Sequence, residues 1–174
     1  MKENQKPEVW LRGPIPHIPP LLQPVAHALK QAVEELAVFS DFFPADLLWE
    51  KPSGLASVGF HLQHLSGVLD RLFTYARSES LNENQLAYLK NEGSATLGDE
   101  TYESLLFTFE KQVAASLKQL QSTPEATLTE VRYVGRAMVP STQLGLLFHA
   151  AEHTQRHVGQ LLVTARILLA RQDQ

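Results

Sequence analysis

The chain has 174 residues, a formal net charge of −4, and hydrophobic and charged fractions of 44% and 20%. These values are ordinary for one globular domain with a substantial core, and the acidic balance argues against a nucleic-acid-binding surface. The absence of cysteine excludes disulfides, thiolate metal ligands and a cysteine nucleophile. No apolar stretch approaches the roughly 20 residues of a membrane span, and no signal peptide is recognised, so we expect a cytoplasmic protein without membrane partners.

Residues 1–20 are predicted to form an extended N-terminal arm. Five of the ten prolines lie between Pro7 and Pro20, and proline opposes helix formation because it fixes φ and lacks an N–H donor. The apolar side chains of Trp10, Leu11 and Ile15 suggest that the arm packs along the body of the protein. The rest of the chain, residues 21–174, is predicted to be a single domain.

Four amphipathic runs predict four helices, over about 21–41, 55–77, 100–121 and 142–170. In each run apolar residues recur every three or four positions, which is the period of a helix with one buried face. The last two helices are separated by a long crossover. The sequence therefore predicts an all-α four-helix bundle.

The connecting segments contain weaker signals. The stretch LNENQLAYL after the second run is compatible with a short helix, and the β-branched stretch TLTEVRYV within the crossover 121–140 is compatible with an extended segment. Either Asp99 or Thr101 is positioned to cap the third helix, since both side chains can accept from a backbone N–H.

Five of the seven histidines lie on two of the predicted helices. His61 and His64 are on the second, and His149, His153 and His157 follow one another at single-turn spacing on the fourth. A pair at i, i+4 shares one helix face, and a third imidazole from a facing helix would complete three neutral nitrogen ligands. Three ligands and an open position are typical of catalytic metal sites, so we favour a metal centre over a merely structural cluster.

Two other metal-site patterns fit less well. The run from His149 to His153 matches H-x-x-E-H, the inverted zinc-peptidase signature, with Glu152 as the base. That signature needs a further acidic ligand downstream, and the sole acid there is Asp173. The Glu-x-x-His pairs of di-iron bundles do not occur in the chain.

Two segments resemble the DinB/YfiT-like superfamily: LWEKPSGLASVGFHLQHLSGVLDRL in the second helix region and HAAEHTQRHVGQLL in the fourth. The second contains the pattern H-x-x-x-H-x-G-Q, formed by His153, His157, Gly159 and Gln160. The resemblance extends over about 21–169. It implies a four-helix bundle with a histidine triad that binds nickel, zinc or a similar divalent ion.

Carried over residue by residue, the resemblance implies that His64, His153 and His157 are the metal ligands. His61 and His149 fall outside this triad. We interpret them as residues that line the pocket, with substrate contact or proton transfer as the alternative. The resemblance also implies a homodimer.

Members of the superfamily with known roles use low-molecular-weight thiols such as mycothiol and bacillithiol. The resemblance therefore implies a metal-dependent S-transferase that joins such a thiol to an electrophilic small molecule. Two alternatives stay open: a hydrolase that uses the same ion to activate water, and a non-catalytic metal-binding stress or interaction module. In the non-catalytic module a fourth protein ligand, such as His61, would block the open positions.

Overall fold

A computed structural model describes residues 6–95 and 100–172. The described part contains five α-helices and one antiparallel hairpin: α1 Gln23–Leu36, α2 Val58–Ala76, α3 Glu83–Asn91, α4 Tyr102–Ser122, β1 Val131–Val134, β2 Val139–Thr142 and α5 Gln143–Gln172. The four long helices form a bundle in which α1 and α2 each contact both α4 and α5. The predicted all-α four-helix bundle is confirmed. Within the described ranges, no helix combines the length and apolar character needed to cross a bilayer.

The core of the bundle holds the histidine-bearing helices in place. Leu62, Leu65 and Leu69 of α2 and Leu161 of α5 are completely buried, and Phe109 of α4 packs in the same cluster. Burying a side chain of this size stabilises the fold by about 1.5–3 kcal/mol. These leucines alternate along α2 and α5 with the histidines, so the packing that stabilises the bundle also fixes where the imidazoles lie.

Side-chain caps define where α2 and α4 begin. The Ser57 hydroxyl accepts from the Phe60 N–H at 3.1 Å. At the start of α4, Thr101 and Ser104 form a reciprocal capping box, in which each side chain accepts from the other's backbone N–H. Thr101 is therefore the cap, while the alternative, Asp99, lies outside the described residues.

Helix α3 corresponds to the short helix predicted for LNENQLAYL. Its N-terminus has a capping box formed by Asn82 and Gln85. None of its residues is fully buried, so polar contacts attach it to α2: Gln85 donates to the Thr74 hydroxyl at 2.8 Å, and the Tyr88 hydroxyl donates to the Gln63 carbonyl at 3.0 Å. This helix matters for the site because the turn that follows it approaches α2.

The crossover contains a β-hairpin of which only the first strand was predicted. The stretch TLTEVRYV includes β1, and β2 pairs with it antiparallel up to the residue before α5. The second strand was not predicted because Pro140 interrupts it next to the start of a strong helical pattern. The Arg132 side chain ties the hairpin to the bundle by donating to the Ala76 carbonyl at the end of α2, at 2.9 Å.

Of the three apolar side chains predicted to pack the N-terminal arm on the bundle, Ile15 does so, whereas Trp10 and Leu11 do not. Trp10 and Leu11 are 60% and 58% exposed, whereas Val9 and Ile18 are buried and Ile15 is half-buried against the core. The segment from Val9 forms a short 3₁₀ turn. Because such a turn has three residues per revolution, one of its side chains faces the body while its neighbours face solvent.

Candidate metal centre

Helices α2 and α5 lie side by side and bring three histidines together. The ring centroids of His64 and His157 are 4.4 Å apart, those of His153 and His157 are 4.5 Å apart, and those of His64 and His153 are 5.2 Å apart. Each ring offers one nitrogen such that all three nitrogens lie within 4.8 Å of one another. We call His64, His153 and His157 the histidine cluster.

The spacing of the nitrogens in the cluster fits a single metal ion. A zinc–nitrogen bond is about 2.0–2.1 Å long, so two nitrogens on one ion lie at most about 4.2 Å apart. The Nε2 atoms of His64 and His153 are 3.0 Å apart, and the 4.8 Å limit for the whole cluster requires only small side-chain rotations. Imidazole nitrogens suit zinc and nickel.

The environment favours the neutral form of two histidines of the cluster, His153 and His157. Burial, followed by repulsion from His64 and His153, lowers the pKa of His157 to about 3. Burial is also the main reason that the pKa of His153 lies below its usual range. A neutral imidazole has a free lone pair, which a metal ligand requires. These two side chains are therefore ready to bind a cation at neutral pH.

One nitrogen of the histidine cluster lacks a hydrogen-bond partner among the described residues. His153 Nδ1 is buried and makes no hydrogen bond to any described residue. A buried polar atom without a partner costs free energy and is uncommon in folded proteins. An ion bound at Nε2 of His153 would leave this atom without a partner, so the fit of the donor set to the predicted metal rests on the three converging imidazole nitrogens, which are ligands that zinc and nickel accept.

His61 lies against the cluster without joining it. Its Nδ1 is 3.0 Å from Nδ1 of His157, and its side chain is almost completely buried. Burial lowers the pKa of His61 to about 4, so both rings are neutral and one of the two Nδ1 atoms donates to the other. His61 thus contacts the Nδ1 side of the His157 ring.

His149 lies at the exposed edge of the cluster. Its Nδ1 donates to Oε1 of Glu152 at 2.6 Å, and Arg156 donates to Oε2 of the same carboxylate at 2.7 Å. His149, Glu152 and His153 form a second group with ligand atoms within 4.8 Å. Both oxygens of Glu152 are already engaged in surface pairs, which does not favour the peptidase base predicted by the H-x-x-E-H pattern.

The structure adds two residues that sequence reasoning missed. Glu92, in the turn after α3, accepts from His64 Nδ1 at 2.7 Å and from Arg71 Nη1 at 2.5 Å. The ring of Phe60 stacks on that of His64 at 5.3 Å and 11°. Glu92 is 28 residues from His64 in a polar connection, and no spacing rule relates the two positions.

The comparison with protein families gives one match. The model of the DinB superfamily matches residues 11–161 of the chain. This range includes the histidine cluster and Glu92, and it begins inside the predicted arm, so the domain division at residue 20 stays a prediction. None of the curated proteins matches the chain.

Proposed function

The chain belongs to the DinB superfamily, and we propose that it is a metal-dependent enzyme whose divalent ion is bound by His64, His153 and His157. The observation that carries this proposal is the convergence of three ring nitrogens from two rigidly packed helices. The low pKa of His157 supports it, since protons do not compete for that nitrogen at neutral pH. Nickel and zinc are the ions we expect.

We further propose that the site joins a low-molecular-weight thiol to an electrophilic small molecule. An ion held by three neutral ligands supplies Lewis acidity that lowers the pKa of a thiol or water molecule. The chain contains no cysteine, so the sulfur nucleophile has to come from a cosubstrate. In the reaction, the sulfur forms a bond to the electrophilic carbon, and the thiol proton leaves with the displaced group or is added to the product.

The position of His61 favours an enzyme over a non-catalytic metal-binding module. A closed site would have a fourth protein ligand, and His61 was the predicted candidate. Its Nδ1 instead faces Nδ1 of His157, and it is not a member of the cluster. Three protein ligands leave positions for small molecules, as in catalytic metal sites.

Metal analysis tests the proposal at its first step. Protein purified without a nickel column is expected to contain about one divalent ion per chain, and His64→Ala, His153→Ala and His157→Ala are each expected to lose it. His17→Asn is the control, because it removes an exposed histidine far along the chain from the cluster. Wild-type protein that binds no metal after incubation with zinc or nickel would contradict the proposal.

A thiol assay tests the chemistry. The metal-loaded protein is expected to accelerate thioether formation between a small thiol and a haloarene electrophile, and the three alanine variants are expected to lose that acceleration. Hydrolysis of an activated ester without any thiol would instead indicate the hydrolase. Size-exclusion chromatography with light scattering tests the homodimer.

A further inference from the structure

We infer that Glu92 is a positioning residue for the metal centre: together with Arg71 it holds the His64 ring in the orientation and tautomer that present Nε2 to the ion. This inference rests on the proposed metal ligation by His64 and extends it to a part of the chain that provides no ligand. The three residues are linked by hydrogen bonds from Arg71 and from His64 to Glu92.

The hydrogen bonds determine which nitrogen of His64 is free. A carboxylate oxygen can only accept, so the bond of 2.7 Å between Glu92 Oε2 and His64 Nδ1 requires the proton to be on Nδ1. A neutral imidazole then has its lone pair on Nε2. Nε2 is the atom that lies 3.0 Å from Nε2 of His153, on the side of the cluster. The tautomer that Glu92 selects is therefore the one that metal binding needs.

The Arg71–Glu92 pair is buried, which distinguishes it from the surface ion pairs of this protein. The Glu92 and Arg71 side chains are 5% and 10% exposed, whereas Glu152 and Arg156 on α5 are 32% and 55% exposed. Taking a carboxylate out of water is costly unless it is paired and fully hydrogen-bonded. Here one oxygen of Glu92 accepts from Arg71 and the other from His64, so both are occupied.

A glycine in the middle of α2 makes room for this pair. A methyl group at Gly67 would clash with Oε1 of Glu92, with Nη1 of Arg71 and with the ring of Tyr88. Glycine within a helix costs about 1 kcal/mol relative to alanine. The position lies one turn after His64 and one turn before Arg71, where the carboxylate has to pass close to the helix backbone.

The turn that carries Glu92 is clamped to α2 on both sides. The side chain of Gln63, the residue before His64, accepts from the Gly93 N–H at 2.7 Å and donates to the Ser94 carbonyl at 3.1 Å. The Tyr88 hydroxyl donates to the Gln63 carbonyl. The backbone on either side of Glu92 is thus fixed to the helix that bears His64, so the carboxylate is in place before an ion binds.

Zinc affinity tests the inference. Removing a partner that orients a metal-ligating histidine typically weakens metal binding by about 10- to 100-fold. We expect Glu92→Gln to bind zinc about 10- to 100-fold more weakly in a competition titration against a chromogenic chelator. Glu34→Gln is the control, because Glu34 also accepts side-chain hydrogen bonds from an arginine, Arg12, and belongs to neither group of potential metal ligands among the described residues. Its zinc affinity is expected to change by less than about twofold.

Measurement of the tautomer in the metal-free wild type requires no variant. Long-range ¹H–¹⁵N correlation spectra are expected to show the His64 proton on Nδ1. A proton on Nε2 would overturn the inference even if Glu92→Gln fails to fold. Circular dichroism and thermal melts establish whether each variant is folded, and Gly67→Ala, which leaves Glu92 chemically intact but displaces it, is expected to weaken zinc binding in the same direction.

The possible failures can be told apart. Wild-type protein that binds no zinc contradicts the proposed function and the inference with it. In a second outcome, the wild-type protein binds zinc, His64→Ala does not, and a folded Glu92→Gln binds zinc as tightly as the wild type. This outcome contradicts only the role of Glu92.

Discussion

Among single residues, the histidines of α2 and α5 differ in what their second ring nitrogen contacts. His64 donates to the buried carboxylate of Glu92, and His157 forms a hydrogen bond with the neutral ring of His61. Nδ1 of His153 has no partner within the described part of the chain. These contacts, more than the spacing along the helices, decide which nitrogen of each ring carries the proton.

The lowered pKa values of His61 and His157 predict how the stability of the metal-free protein depends on pH. The unfolded chain takes up a proton on each histidine near pH 6.5, whereas the folded protein does so only near pH 4 at His61 and near pH 3 at His157. Between these values the unfolded state binds more protons. The free energy of unfolding is therefore expected to be highest above pH 6.5 and to fall toward pH 4, by at most about 1.4 kcal/mol per pH unit for each histidine.

Urea unfolding between pH 4.5 and 7.5 in the presence of a chelator measures this dependence. His61→Leu removes one of the two histidines whose pKa is lowered most and is expected to make the curve less steep on the acidic side. His17→Asn controls for the removal of a histidine from the surface. Parallel curves for wild type and His61→Leu would show that His61 does not contribute to the acid sensitivity.

Among the elements, α3 and α4 begin with similar caps but are stabilised differently. Both have a reciprocal capping box. Helix α4 buries Leu105 and Phe109 in the core, whereas α3 buries none of its residues completely. Opening α3 therefore costs little more than its polar contacts, while opening α4 disrupts the bundle.

Removing each cap is expected to give different results. Thr101→Ala is expected to lower the global free energy of unfolding by about 0.5–2 kcal/mol. Asn82→Ala is expected to leave the global free energy of unfolding nearly unchanged. It should instead accelerate amide hydrogen exchange in α3 by about 2- to 30-fold, because a loss of about 0.5–2 kcal/mol raises the equilibrium constant for local opening by that factor. Urea unfolding and hydrogen exchange followed by mass spectrometry make the two measurements. Equal global losses in both variants would show that α3 unfolds only together with the bundle.

For the whole molecule, the apolar core and the metal centre are separate sources of stability. The core of buried leucine and phenylalanine side chains runs through all four long helices, and none of these side chains depends on a metal ion. In small zinc domains the metal supplies the folding free energy itself. A bundle of this size buries enough apolar surface to fold without one.

Metal removal is accordingly expected to leave the helices intact. Chelation should not change the helical circular dichroism, and zinc at 100 times its dissociation constant should raise the free energy of unfolding by about 2.7 kcal/mol, because it binds only the folded state. Thermal melts with chelator and with zinc measure both effects, and His64→Ala is expected to show no zinc-dependent shift. A loss of helical signal on chelation would mean that folding and metal binding are coupled.

Features that depend on local periodicity could be predicted from the order of the amino acids. The apolar spacing predicted the four long helices to within a few residues, and the polar stretch before Glu92 was correctly interpreted as containing a short helix. The i, i+4 spacing of His153 and His157 placed two imidazoles on one helix face, since a helix repeats its direction every 3.6 residues. The family match over residues 11–161 agrees with the resemblance found in the two histidine segments.

Features that depend on contacts between distant segments became visible once the helices were packed together. Three features follow from how the elements pack. They are the second strand of the hairpin, the burial of Val9 and Ile18 in place of Trp10 in the arm, and the contact of Glu92 with His64. A side-chain pair 28 residues apart leaves no periodic trace in the sequence, because its geometry is set by the turn after α3 and by the room that Gly67 leaves. Local spacing determines which face of a helix a residue occupies, and packing determines what that face meets.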